Sequence, residues 1–174
     1  MRRRQAGGML FEYLVALAVG ALVVSALVAL TVYSARSFAA LANYVDLNAA
    51  GARAMDTFTR DIRQCTGLTS YSTNQLVFND GTNASGLIFS YNPVERTLVR
   101  RQAGNTNILL TGCDALEFTI YQRTPLAGTY DQYPAAAATN CKVVAVKWTC
   151  SRTLMGVRST TETDEEAKVV IRKH

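Results

Sequence analysis

The chain has 174 residues, 49% of them apolar, with 18 Lys plus Arg against 13 Asp plus Glu. That length suits one core, since such a chain buries roughly 70% of its unfolded surface, and 18% charged residues with three prolines exclude a disordered binder or a proline-rich stalk. The sole histidine, His174, leaves no interior imidazole for Ser/His/Asp or Cys/His chemistry or a His-rich metal site, while the net charge of +5 keeps nucleic acid open until the charges are located.

Arg2, Arg3 and Arg4 open the chain, and from Tyr13 to Tyr33 no charged residue occurs. At 1.5 Å per residue this run covers the roughly 30 Å apolar core of a bilayer, which predicts a membrane helix over 13–33. The basic start places the N-terminus in the cytoplasm and everything after Tyr33 on the other face. A cleaved signal peptide has a shorter apolar region ending at a small-residue site, and Thr31-Val32-Tyr33-Ser34-Ala35 is a poor one. Glu12 stands at the head of the run, where an unpaired carboxylate beside lipid is costly and predicts a partner.

The segment Arg2-Arg3-Arg4-Gln5-Ala6-Gly7-Gly8-Met9-Leu10-Phe11-Glu12-Tyr13-Leu14 resembles the processing region of type IV prepilins and type II secretion pseudopilins. In that family a short basic leader ends in Gly, cleavage precedes the apolar segment, and Glu stands at the fifth mature position. The resemblance implies a cut between Gly7 and Gly8, a leader over 1–7, and Glu12 as the fifth mature residue, accepting the charged N-terminus of a neighbouring subunit. The family's usual first mature residue is Phe or Met. A cut between Gly8 and Met9 restores a Met start but moves Glu12 to the fourth position, and a Gly start leaves N-methylation open.

Beyond Tyr33 the helical signal continues. Phe38, Leu41, Val45, Ala49, Ala52, Met55, Phe58 and Ile62 recur at steps of three and four and predict one apolar stripe. Asp56 and Arg60 form an expected surface pair one turn apart. With no proline before Pro93, the helix is expected over 8–64, with Gly20 and Gly51 as weak points costing about 1 kcal/mol each relative to Ala. From residue 65 to 174 the pattern becomes short strands: 75–78, 87–91, 97–100, 108–110, 116–121, 142–149 and 168–172. Asp80-Gly81 and Asn92-Pro93 supply turns, predicting an antiparallel meander. Thr124 to Asn140 and Ser151 to Glu166 read as long excursions. The expected fold is α+β and pilin-like: a transmembrane then amphipathic helix packed on a mainly antiparallel sheet.

Cys65, Cys113, Cys141 and Cys150 fall on the expected oxidising side and are candidate disulfide cysteines, with free buried thiols as the alternative. If Cys141 to Cys150 is one extended strand, its ends cannot bond. This leaves Cys65 to Cys141 with Cys113 to Cys150, or Cys65 to Cys150 with Cys113 to Cys141. No Cys-x-x-Cys pair supports zinc, and no cofactor or catalytic residue is expected. Asn83-Ala84-Ser85 has the glycosylation form; Asp164, Glu165 and Glu166 read as a solvated loop before a Ca²⁺ site; Trp148 reads as core, and Arg100-Arg101 as a small basic pair.

Asp61-Ile62-Arg63-Gln64, Thr97-Leu98-Val99-Arg100 and Leu109-Leu110-Thr111-Gly112-Cys113-Asp114-Ala115-Leu116-Glu117-Phe118 are similar to minor subunits of the pseudopilin J and PilW type. This resemblance implies a non-enzymatic minor subunit of a type II secretion pseudopilus or type IV pilus, in the bacterial inner membrane by a single pass, with a periplasmic head that can end at a filament tip. The implied partners are the prepilin peptidase, other pilins or pseudopilins, the inner-membrane assembly platform and membrane lipid. A minor pilin for DNA uptake or adhesion is the near alternative; a membrane-anchored extracytoplasmic enzyme or ligand-binding domain is the alternative of another class. The proposed cut discards Arg2, Arg3 and Arg4 and leaves 15 basic against 13 acidic side chains, so nucleic acid is expected as a partner only in a competence pilus.

Overall fold

The structure, a computed structural model, describes residues 6–81, 86–122, 133–134, 137–154 and 156–172. It is α+β and divides into two compact units, Met1–Leu41 and Ala42–His174. One helix, α1 (Ala6–Gln64), contributes to both.

In the first unit α1 is long and apolar enough to cross a bilayer once. Its large side chains, including Leu17, Leu22 and Val28, are exposed. The hydroxyls inside the run bond back to their own helix, Ser25 Oγ to the Leu22 carbonyl at 2.8 Å and Thr31 Oγ1 to the Leu27 carbonyl at 2.8 Å. Neither therefore needs water in an apolar surrounding.

In the second unit α1 buries Leu47, Gly51, Ala54, Phe58, Asp61 and Ile62. The expected stripe is thus correct at Phe58 and Ile62 and partly at Met55, but Ala49 and Ala52 are exposed, as are Phe38, Leu41 and Val45. The reason is the period: each step of three falls about 60° short of a turn, so three such steps carry Ala49 to about 180° from Phe58. The true face runs through a glycine and an aspartate, which an apolar count passes over. Arg60 lies 3.8 Å from Asp61 rather than reaching back to Asp56. The helix ends as expected at Gln64, with Arg63 in its last turn opposing the negative end of the helix dipole.

The strands run antiparallel but divide between two sheets instead of forming one. The first joins β1 (Gly67–Ser72), β2 (Gln75–Asn79), β3 (Leu87–Asn92), β4 (Thr97–Gln102) and β5 (Asn105–Thr111) in chain order, the expected meander with β1 added. Asn92 Oδ1 accepts the main-chain N–H groups of Val94 and Glu95 at 3.0 and 3.3 Å, which makes the Asn92-Pro93 turn. The second sheet has the order β7 (Tyr133–Pro134), β6 (Cys113–Gln122), β8 (Val143–Leu154), β9 (Val157–Val170). The Ser151 to Glu166 excursion is therefore a correction: β8 and β9 extend through it as one long hairpin, with Trp148 opposite Glu165 and Ser151 opposite Glu162. Most of the Thr124 to Asn140 excursion, and all of Asn83-Ala84-Ser85, lie outside the described residues; a short helical turn at Ala138–Asn140 and β7 fall within the former.

Phe58 of α1 joins the two sheets. Its ring is 4.9 Å from Phe89 of β3, edge to face, and 6.1 Å from Phe118 of β6, stacked. Main-chain bonds reinforce the seam: the Phe118 N–H donates to Thr73 and the Cys113 N–H to Arg96, at 3.2 and 2.9 Å. Tyr71 and Tyr91 hydroxyls donate to the carbonyls of Phe118 and Cys113 at 2.9 and 3.0 Å. The chain passes from one sheet to the other at Gly112, whose φ is 74° and where a Cβ would stand 2.7 Å from the Ser151 carbonyl oxygen. An L-residue there meets both a disfavoured backbone region and a clash.

Candidate functional site

The residues singled out by the N-terminal pattern share the first turns of α1. Gly7 and Gly8 lie in its opening turn, and Glu12, exposed, follows Gly8 by four residues, one turn along the same side. An added Cβ at Gly8 meets nothing within 4 Å among the described residues. The next turns carry Tyr13, Ala16, Leu17, Gly20, Ala21, Val24 and Ser25 along one exposed, mostly apolar face. This segment offers a carboxylate and an apolar face.

In the second unit two polar clusters escaped the sequence reading. Asp61, buried on α1, accepts from the Arg100 guanidinium on β4, which also donates to Gln102; the Gln102 amide then reaches Asp80 at 3.3 Å. Arg100 is thus one half of an ion pair that ties α1 to the first sheet, and not half of a basic surface pair with Arg101. Asp61, Gln64, Cys65, Asp80, Leu87 and Gln102 line a cavity of about 250 Å³. The second cluster stands at the seam: Arg96 donates to Asp114, to the Gly112 carbonyl at 3.1 Å and to Ser151 Oγ at 3.1 Å, and Ser151 Oγ donates to Asp114. Both oxygens of the Asp114 carboxylate are engaged, so the geometry is that of a clamp. Arg96 has φ 54°, in the left-handed region that non-glycine residues seldom adopt. Asp and Arg in separate parts of the chain carry no local signal of pairing.

The four candidate disulfide cysteines are all buried. Cys65 Sγ donates to the Asp61 carbonyl at 3.2 Å, and burial, followed by the Asp80 and Asp61 carboxylates, pushes its thiol up to about 12. Cys141 Sγ lies 3.5 Å from the Val143 carbonyl oxygen. Cys113 and Cys150 are brought together, with their sulfurs 2.9 Å apart and no bond between them. The Asp164 to Glu166 run is in β9 rather than a solvated loop, with Glu166 opposite Lys147. Glu165 is half-buried against Gly51 of α1, and burial raises its carboxyl above the usual range. Trp148 is core. Among the described residues no group of three or more His, Cys, Asp or Glu side chains is placed to hold a metal ion. Comparison of the chain with protein-family models, with curated proteins and with solved structures finds no match.

Proposed function

We propose that the chain is a minor pilin-like subunit of a type II secretion pseudopilus or type IV pilus, anchored in the bacterial inner membrane by α1 with its β-rich head on the periplasmic side. The observation that carries this reading is the order of features along one helix. Three arginines precede Gly7-Gly8, Glu12 follows one turn later, and an apolar run then continues in α1. A plain anchor requires the apolar run but neither the glycine pair nor the carboxylate.

In this reading a prepilin peptidase of the membrane removes Met1 to Gly7. The new N-terminal amine of one subunit then pairs with Glu12 of the next, and the surrounding low dielectric makes that attraction far stronger than it would be in water. The exposed face from Tyr13 to Ser25 packs against sister helices, first in lipid and then in a filament. The head, held by the Phe58 seam, meets other subunits and performs no chemistry of its own.

N-terminal sequencing of the protein coexpressed with a prepilin peptidase tests the reading. A chain beginning at Gly8 or Met9 is expected, and an intact Met1 counts against it. Glu12→Ala and Glu12→Lys are expected to insert in the membrane normally and to fail in filament incorporation. Incorporation of both at the native level removes the role given to Glu12.

A further inference from the structure

We propose that Cys113 and Cys150 are a redox site, closing to a cross-strand disulfide that fastens β6 to β8 at the seam between the sheets. The two residues are direct partners in the antiparallel ladder, with sulfurs 2.9 Å apart. Their position in the ladder favours closure. The Cys113 N–H points away from β8 to the Arg96 carbonyl, while the adjacent Ser151 N–H crosses to the Gly112 carbonyl at 2.9 Å. Cys113 and Cys150 therefore occupy a site between ladder bonds, where opposed Cα atoms stand about 4.5 Å apart, inside the disulfide range of roughly 4.4–6.8 Å. A bonded pair needs about 0.9 Å of further approach between the sulfurs.

Either thiol can donate in the contact between them, so either sulfur can open the exchange. With a small-molecule or protein disulfide as oxidant, the thiolate of one cysteine forms a mixed disulfide and expels one thiolate. The other cysteine then loses its proton, attacks the protein sulfur of the mixed disulfide and expels the second. The two cysteine protons end on the two thiols released, and the oxidant's disulfide is reduced as the protein's is made. Both sulfurs are buried in the folded head, so exchange belongs to folding, and the finished bond is shielded from reductant. Of the pairs open from the sequence, this geometry favours Cys113 with Cys150 and says nothing for Cys65 with Cys141.

The geometry does not depend on which compartment the head occupies, so the test stands apart from the function proposed above. The full chain is refolded from urea into detergent micelles, once in a mixture of oxidised and reduced glutathione and once in reductant alone. It is then alkylated unfolded, digested and weighed. The expected result is a peptide pair joined through Cys113 and Cys150, lighter by two hydrogens, and a higher urea midpoint for the oxidised protein. That shift is expected to vanish in Cys113→Ser and Cys150→Ser and to persist in Cys65→Ser. Alkylation of both Cys113 and Cys150 after oxidative refolding, a link from either to another cysteine, or a midpoint shift retained in Cys113→Ser overturns the proposal.

Discussion

The two parts of α1 are both rich in apolar residues, yet they use them in opposite ways. Up to Leu41 the apolar side chains point to every side and remain exposed, Phe38 at 70%; from Leu47 onward one narrow face is hidden and Phe58 is 0% exposed. An all-round apolar helix suits a surrounding of lipid or other helices, whereas a stripe suits a core on one side. Composition therefore identifies the first part, and only periodicity identifies the second.

The sharpest way to break this comparison is to remove the same side chain from each part. Phe58→Ala deletes the ring that touches both Phe89 and Phe118 and is expected to cost the head about 3–5 kcal/mol. Phe38→Ala is expected to leave the head unchanged within about 0.5 kcal/mol. Urea unfolding of the full chain in micelles, followed through the fluorescence of buried Trp148, measures both. Equal losses would mean that the two parts of the helix do not differ as described.

Carboxylates extend the contrast at smaller size. Asp61 is buried and engaged by Arg100, whose side chain is 16% exposed, while Glu12 is exposed. Asp61→Ala strands a mostly buried guanidinium and is expected to cost about 3 kcal/mol; joint replacement of Asp61 and Arg100 by leucine is expected to recover most of it. Glu12→Ala is expected to leave the same urea midpoint in place. A double variant as unstable as Asp61→Ala alone would show that the carboxylate acts through something other than this pair.

How much of this was legible in the sequence follows from which signals are local. The end of α1 at Gln64 and the strands β2 and β3 were readable, because Leu76 and Phe78, and Leu87, Phe89 and Tyr91, alternate inward as the sequence alternates. The phase of the buried stripe was misread, because Gly51, Ala54 and Asp61 carry little apolar signal although they face the core. The outer part of the β8–β9 hairpin carries no strand signal, because its Thr, Asp and Glu residues are held by the ladder to β8 and not by their own hydrophobicity. Asp61 with Arg100, Arg96 with Asp114, and Cys113 with Cys150 are separated by 39, 18 and 37 positions. Such pairs are set by strand register, for Cys113 with Cys150, and by how α1 and the two sheets pack, for the others, and the spacing of residues along the chain specifies neither. The apolar run that lets α1 cross a bilayer was legible because it is contiguous.

Gly20 and Gly51, the two interior glycines of α1, give the smallest and most discriminating test. At Gly20 an added Cβ meets nothing within 4 Å, so Gly20→Ala is expected to add helix propensity of up to about 1 kcal/mol without any steric charge against it. At Gly51 the same Cβ would stand 2.3 Å from Glu165 Oε1, so the propensity gained is offset by expelling that carboxylate from its notch, for a net change within about 1 kcal/mol. The pH profile separates the two contributions. Burial raises the Glu165 carboxyl in the folded head above its unfolded value, so the folded state binds that proton more tightly. Its contribution to stability is present in acid and is lost as pH rises through the raised value. Gly51→Ala, by turning the carboxylate into water, is expected to remove this contribution, and Glu165→Gln is expected to remove it without touching the helix. Urea midpoints of wild type and the two variants, taken from neutral pH down to about 4, should therefore show one sloping component in the wild type that both variants lack. Parallel profiles for wild type and Gly51→Ala would mean that the carboxylate keeps its burial by another rotamer and that Gly51 does not determine it.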